Sequence, residues 1–280
     1  MLTNFIETLK VLFLGIVEGI TEWLPISSTG HMLLVDEFLQ MQETEEFKTL
    51  FFIVIQLGAI LAVVLLFWER LFPFGLDENK KIVAKKDIFH LWGKVVVACI
   101  PGAAAVFLFD DFIEAHLETP TVIALALILY GIAFLIIEKK NAASQGSITS
   151  VSEISYKNAF FIGLFQVLSI IPGTSRSGST ILGARLLGIS RVAAAEFTFF
   201  LAVPVMAGYS LLKLLKFGLN FTVSQLLLLG IGCLSAFITS YFCIKFLMDY
   251  VKKHSFAVFG WYRIALGAVV LAYFHLLPLF

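Results

Sequence analysis

Gly15-Ile16-Val17-Glu18-Gly19-Ile20-Thr21-Glu22-Trp23-Leu24-Pro25-Ile26-Ser27-Ser28-Thr29-Gly30-His31 opens as an apolar helix that carries two carboxylates. It then breaks at Pro25 into a hydroxyl-rich turn closed by Gly30 and His31. Helical spacing puts Glu18 and Glu22, four residues apart, on one face within a turn of each other. Two ionised carboxylates that close repel, and in an apolar setting each also loses its hydration. A shared proton, an arginine or a divalent cation has to compensate them, and ionisable residues in a membrane segment mark a functional site. The break decides the fold. Neither half of the apolar region 1–35 reaches the roughly 20 residues that a helix needs to cross a bilayer. Two half-length helices joined by a polar turn predict a re-entrant hairpin, tolerated only when buried in protein or lining a wet cavity.

The remaining composition agrees with a membrane setting. The chain has 280 residues, 59% of them hydrophobic and 14% charged, with a mean hydropathy of +0.94. A soluble domain cannot cover that much apolar surface with so little polar exterior, so the fold class is an all-α polytopic membrane protein. Lys and Arg together number 20, as do Asp and Glu, and this zero balance argues against a nucleic-acid partner. Cys99, Cys233 and Cys243 lie inside apolar blocks without metal-ligand spacing, and read as small buried hydrophobes. The 29 phenylalanines read as packing and lipid-facing residues and suggest no cofactor. Glu7 and a lone Lys10 replace the basic cluster of a signal peptide, so the first block is expected to stay in the mature protein.

Along the chain, full spans are expected at about 50–68, 91–109, 120–137, 192–212, 222–244 and 258–277. Residues 36–48 form an acidic loop and 69–90 a basic one with Arg70, Lys80, Lys81, Lys85 and Lys86. The link 110–119 is acidic (Asp110, Asp111, Glu114, Glu118), and 138–157 and 245–257 are lysine-bearing. Placing the basic loops on the cytoplasmic side puts the acidic ones and both termini outside. Only the Lys213/Lys216 pair runs against that parity.

Residues 158–189 repeat the opening design, a short apolar helix, a Pro/Gly/Ser turn and a second short helix. Gly15-Ile-Val-Glu18 aligns with Gly163-Leu-Phe-Gln166. Trp23-Leu-Pro25-Ile-Ser-Ser28-Thr-Gly30 aligns, with gaps, with Ile170-Ile-Pro172-Gly-Thr-Ser175-Arg-Ser-Gly178. Each half, 1–140 and 141–280, then holds a re-entrant broken-helix hairpin plus three transmembrane helices in opposite orientation. That inverted-topology repeat places the site near mid-membrane, where the interrupted segments meet. Glu18, Glu22, Ser28 and His31 are thus expected to face Ser175, Arg176, Ser177 and Thr180 across one cavity.

The second turn, Pro172-Gly173-Thr174-Ser175-Arg176-Ser177-Gly178-Ser179-Thr180, leads into a helix expected to begin near Ile181. Glycine lets backbone amides turn inward, a helix N-terminus attracts anions, and Arg176 offers a forked, always-protonated donor. With Ser27 and Thr29 from the first turn, Gly173, Thr174, Ser175, Ser177, Gly178 and Thr180 read as a phosphate cradle. No GxxxxGK[ST] sequence is present, so a P-loop is not supported. Alternatively, Arg176 neutralises Glu18 or Glu22 in a buried pair, and the two roles are compatible in turn. Glu18 and Glu22 are hard oxygen ligands suited to Mg²⁺ or Ca²⁺, completed by water and substrate oxygens; the alternative is an ion-coupling carboxylate pair. Ser28 and His31 share a face if helix resumes after the turn; either Ser28 attacks with His31 taking its proton, or His31 activates water directly, although capping explains one of Ser27, Ser28 and Thr29. Glu196 is expected to pair with Arg191 or Arg185, Gln56 and Gln166 to hydrogen-bond between helices, and His90, His116, His254 and His275 to be interfacial.

Those two motifs resemble the bacterial undecaprenyl-diphosphatase family, also called bacitracin-resistance proteins. Val54-Ile-Gln-Leu-Gly-Ala-Ile-Leu-Ala-Val-Val and Ala194-Ala-Glu-Phe-Thr-Phe-Phe-Leu-Ala-Val-Pro204 resemble it too, so the likeness runs over most of the chain. The resemblance implies an integral phosphatase that removes the terminal phosphate of undecaprenyl diphosphate in the bacterial cytoplasmic membrane. That reaction regenerates the lipid carrier for peptidoglycan synthesis, with consequences for cell shape and bacitracin resistance. It further implies a divalent metal on Glu18 and Glu22, and catalysis and diphosphate binding through Ser28, His31 and Arg176. Substrate would reach a site open to the outer face. Membrane lipids surround such a protein, and a second copy of the chain stands as a candidate partner. A flippase for the lipid monophosphate or an ion-coupled carrier is the competing class, because an inverted repeat with buried charge suits transport as well. A purely structural partner is disfavoured, since nothing would then offset the burial of the charge cluster.

Overall fold

Most of the long apolar runs begin at a hydroxyl side chain that caps a helix. Thr44 accepts from Phe47 N, Thr119 from Val122 N, Ser190 from Ala193 N and Thr222 from Gln225 N. Each cap satisfies a backbone N–H that would otherwise enter the apolar layer unpaired. In the computed structural model, which describes residues 5–76, 81–141, 146–218 and 220–275, these starts open helices α3 (Glu45–Leu66), α6 (Pro120–Lys140), α9 (Arg191–Phe217) and α10 (Val223–Lys253). Helices α5 (Lys86–His116) and α11 (Ala257–His275) complete the long set. All 6 are long and apolar enough to cross a membrane, as expected, but their ends are displaced by up to nine residues, so that 110–116 of the acidic link and 245–253 of the basic link continue the helices. Residues 276–277 of the last expected span, 1–4 of the first hairpin and Lys80 lie outside the described residues, as do the side chains of Asp111 and Glu114.

The short helices are α1 (Phe5–Thr21), α2 (Ser28–Leu39), α4 (Trp68–Leu71), α7 (Tyr156–Val167) and α8 (Arg176–Leu186). Helices α1 and α2 flank the first break, and α7 and α8 flank the second. The loop 69–90 holds a feature that composition does not announce, a two-stranded antiparallel hairpin of β1 (Phe74–Leu76) and β2 (Ile82–Ala84).

Small residues set the closest helix contacts, as in membrane interiors where packing replaces the hydrophobic drive. Helix α6 lies along α11, and a Cβ on Gly131 would stand 2.7 Å from Gly260 O. Helix α1 lies along α10, where a Cβ on Gly19 would meet Ala236 O at 2.7 Å. Helix α7 packs on α5, and α3 packs on both α9 and α10. The core around the breaks is aromatic: Trp23 is fully buried with its ring edge-on to Phe199 at 5.3 Å. Phe107, Leu129 and Phe242, by contrast, point outward from the spans, as lipid-facing positions should.

Two charge pairings differ from expectation or explain it. Glu196 pairs with Arg70 of α4, while Arg185 and Arg191 both reach Glu138 of α6, at 3.3 and 2.6 Å. Five residues along a helix turn a side chain by about 140°, so Glu196 points away from the side on which Arg191 meets α6. The Lys213 and Lys216 pair that broke the charge parity is answered by Asp110, at 3.2 and 3.4 Å.

Candidate active site

Both breaks are built the same way. Ser27 and Ser175 each have φ of 73°, a left-handed backbone rare outside glycine, and each caps the helix that follows. The Ser27 hydroxyl oxygen accepts from Gly30 N at 3.4 Å, and that of Ser175 from Gly178 N at 3.1 Å. A non-glycine residue held there costs about 1–3 kcal/mol, so the surrounding contacts must hold each turn. Gly173 has φ of +88° and would drive a Cβ into the backbone of Ile123, which leaves no other residue for that position. The second helix begins at Arg176, not near Ile181. The cap at Ser175 starts it one and a half turns earlier, so Arg176–Thr180 belong to its opening turns.

That early start carries Arg176 to the first break. Its Nη2 donates to Glu22 Oε1 at 2.9 Å, its Nη1 to Thr198 O at 3.0 Å, and its guanidinium lies 5.9 Å from the centre of the Trp23 ring. The other oxygen of Glu22 accepts from the Ser28 hydroxyl at 2.8 Å. Glu18, 1% exposed, faces the same carboxylate, and its Oε1 has no hydrogen-bond partner. The acidic pair, the serine and the arginine therefore meet at one place.

His31 stands one turn along α2, but Ser28 does not donate to it. The imidazole Nδ1 lies 2.7 Å from Ser27 O, and Nε2 lies 2.7 Å from the hydroxyl of Tyr262 on α11. Of the groups expected to cradle phosphate, Ser177 and Thr180 are buried and engaged within the protein. Ser177 Oγ donates to Glu22 O at 3.1 Å, and Thr180 Oγ1 meets Arg176 O at 3.0 Å and Thr198 Oγ1 at 2.9 Å. Thr174, Gly173 and Gly178 are buried, Ser27 is the buried cap, and Thr29 is exposed. Ser28, Thr29, His31, Ser175 and Arg176 are the expected site residues that retain accessible surface.

One residue that motif reading missed ties the two breaks together. Arg263 of α11 has no exposed surface. Its guanidinium donates to Pro25 O at 3.2 Å in the first turn and to Gly173 O and Thr174 O, both at 2.8 Å, in the second. The face of Tyr130 lies 5.6 Å away. With those carbonyls drawn toward α11, the two turns are held against each other. The available signal is an arginine within the last apolar span.

The donor set suits a hard divalent cation. Among the described residues no three His, Cys, Asp or Glu side chains cluster, so protein would supply two carboxylates and leave the remaining positions for water or substrate oxygens, as Mg²⁺ sites commonly do. The buried, partnerless Oε1 of Glu18 is the oxygen such an ion would satisfy.

Comparison with known proteins identifies relatives over nearly the full length. The model of the bacitracin resistance protein BacA family matches residues 11–269. A protein named undecaprenyl-diphosphatase from Enterococcus faecalis is 63% identical over 271 residues, covering 97% of this chain and 98% of the relative. One of that name from Lachnoclostridium phytofermentans is 61% identical over 273 residues, 98% of this chain and 99% of the relative. A third, from Acetivibrio thermocellus, is 53% identical over 269 residues, covering 96% and 98%.

Proposed function

The chain belongs to the bacitracin resistance protein BacA family and is an undecaprenyl-diphosphatase, and we propose that it acts where Glu22, Ser28, His31 and Arg176 converge. The observation that carries this reading is the contact of Arg176 with Glu22 across the two breaks. The comparisons name phosphatases and lend the carrier alternative no support.

In the resting site Arg176 neutralises Glu22. An arriving diphosphate competes for the guanidinium, whose planar fork matches phosphate oxygens. Released from that partner, Glu22 accepts the proton of Ser28 through the hydrogen bond already formed at 2.8 Å. Ser28 Oγ bonds to the terminal phosphorus, the anhydride P–O bond breaks, and its electron pair leaves with undecaprenyl phosphate. Water then attacks the phosphorus with its proton passing to His31, the P–Oγ bond breaks, Ser28 Oγ recovers its proton from Glu22 along the same hydrogen bond, and inorganic phosphate departs. Charge on the equatorial oxygens is the main demand of such a transfer, and positioned donors meet it. A divalent cation held by Glu18 and Glu22 would, when bound, neutralise part of the phosphate charge.

The reading extends to the whole molecule as an inverted repeat of 1–140 and 141–280. Ser27 with Ser175, and Gly30 with Gly178, keep the same separation in sequence as Gly15 with Gly163 and Glu18 with Gln166. The capping serines share one φ. Helix α1 packs on α10 of the other half while α7 packs on α5, an exchange of partners that a two-fold relation would produce. Lysine-rich loops on the cytoplasmic side would open the pocket to the outer face of the bacterial inner membrane, and a homodimer is compatible with the exposed spans. Release of phosphate from undecaprenyl diphosphate by purified wild type and Ser28→Ala, without any ion gradient, tests the proposal. Unchanged turnover in Ser28→Ala would remove Ser28 from the chemistry.

A further inference from the structure

We propose that Tyr262 is a positioning residue for His31, holding the imidazole in one plane and one tautomer through both of its protonation states. The inference rests on His31 belonging to the reaction, as above. The two ring planes are inclined by only 3° with centroids 5.5 Å apart, and Tyr262 Oη lies 2.7 Å from Nε2, so the rings run parallel and meet through that hydrogen bond. At the other nitrogen a carbonyl stands 2.7 Å away, that of Ser27. A carbonyl only accepts, so Nδ1 carries a hydrogen in either state of the ring. In the neutral imidazole Nε2 is therefore the lone-pair nitrogen, and the Tyr262 hydroxyl donates to it. In the imidazolium Nε2 carries a hydrogen, and the same hydroxyl accepts.

A hydroxyl does both by rotating about its C–O bond, whereas a carboxylate or an amide carbonyl only accepts. The proton reaches Nε2 by way of that hydroxyl, which hands on its own hydrogen while its oxygen takes one from water, so His31 changes charge without losing a hydrogen bond or moving its ring. The backbone side of this clamp is fixed as well, because Ser27 is the strained cap of α2. A second partner that sets imidazole tautomer and orientation is a recurrent requirement of working histidines. Ser28, engaged with Glu22, does not supply it. The sequence offers no warning, since a tyrosine near the start of a span reads as an interfacial anchor.

The test compares purified wild type, Tyr262→Phe, His31→Ala, Tyr262→Phe/His31→Ala and Arg176→Ala, with kcat and KM measured on undecaprenyl diphosphate. Phenylalanine keeps the ring and removes only the hydroxyl. The expected result is a fall in kcat of about 10-fold or more for Tyr262→Phe, in line with losses at such supporting contacts, with KM and thermal unfolding unchanged. In the His31→Ala background the same substitution should cost less than about twofold, because a residue that acts through another is silent once that residue is gone. Full kcat in Tyr262→Phe, or an equal loss with and without His31, would overturn the role. If His31→Ala and Arg176→Ala both keep wild-type turnover, it is the site itself that fails. An active Tyr262→Phe beside inactive His31→Ala and Arg176→Ala condemns the tyrosine alone.

Discussion

Arg176 Nη2 lies 2.9 Å from Glu22 Oε1, although 154 residues separate them in the chain, and the two side chains are 10% and 8% exposed. Removing one member of such a buried pair leaves the other uncompensated, at a typical cost of about 3–5 kcal/mol, whereas removing both is far milder. Arg176→Met is accordingly expected to lower the unfolding temperature of the detergent-purified protein. Glu22→Gln/Arg176→Met should recover part of that loss. Greater loss in the double variant would contradict the pairing.

Ser28 donates to Glu22 and not to His31, so the serine and the carboxylate should fail together. Rapid quench of the protein with terminally ³²P-labelled undecaprenyl diphosphate should leave label on Ser28 in His31→Ala, where the second half-reaction is slowed. In Glu22→Gln no label should accumulate. Label in Glu22→Gln at the wild-type rate would remove Glu22 as the base.

Arg263 joins the two turns through three carbonyls and is fully buried. Each carbonyl left without a donor costs about 1–3 kcal/mol. Arg263→Met should therefore unfold at markedly lower temperature and lose turnover with it, and Arg263→Lys, which cannot fork to both turns, should lie between. A stable, fully active Arg263→Met would show that the turns need no clamp.

Glu18 has a buried oxygen without a partner, and that oxygen is the expected seat of a cation. Chelator should suppress phosphate release, and added Mg²⁺ or Ca²⁺ should restore it. Glu18→Gln should shift the restoring concentration upward by about tenfold or more, since one of only two protein carboxylates is lost. Chelator-insensitive wild type would remove the ion from the account.

The spans and the two breaks were legible because their signals are local: apolar length, Pro25 and Pro172, the capping serines, and acid beside hydroxyl at the first turn. Convergence of Glu22 with Arg176 followed from recognising one design twice. What sequence reading left out are the contacts made by single residues of a distant helix. Arg263 and Tyr262 sit in an apolar span with no motif around them, and only the cost of burying a guanidinium flags the first. Glu196 lies near Arg191 and Arg185 in sequence but not in space, since the helix turns its side chain toward Arg70. Ser177 and Thr180, expected to cradle phosphate, are engaged within the protein. The helix there starts at Arg176, so these hydroxyls bond to protein oxygens.

The central claim is that two interrupted helices far apart in sequence make one catalytic pocket through Glu22 and Arg176. Steady-state phosphate release from undecaprenyl diphosphate by Glu22→Gln, Arg176→Ala and the double variant tests it directly. Electrostatic contacts at a reacting phosphoryl group are worth several kcal/mol, so each single variant should lose about a hundredfold or more in kcat/KM. Groups that act as a unit are far from additive, so the double variant should lose no more than about tenfold beyond the worse single. Near-wild-type turnover in either single variant, or a double variant showing the full product of the two losses, would contradict a shared pocket.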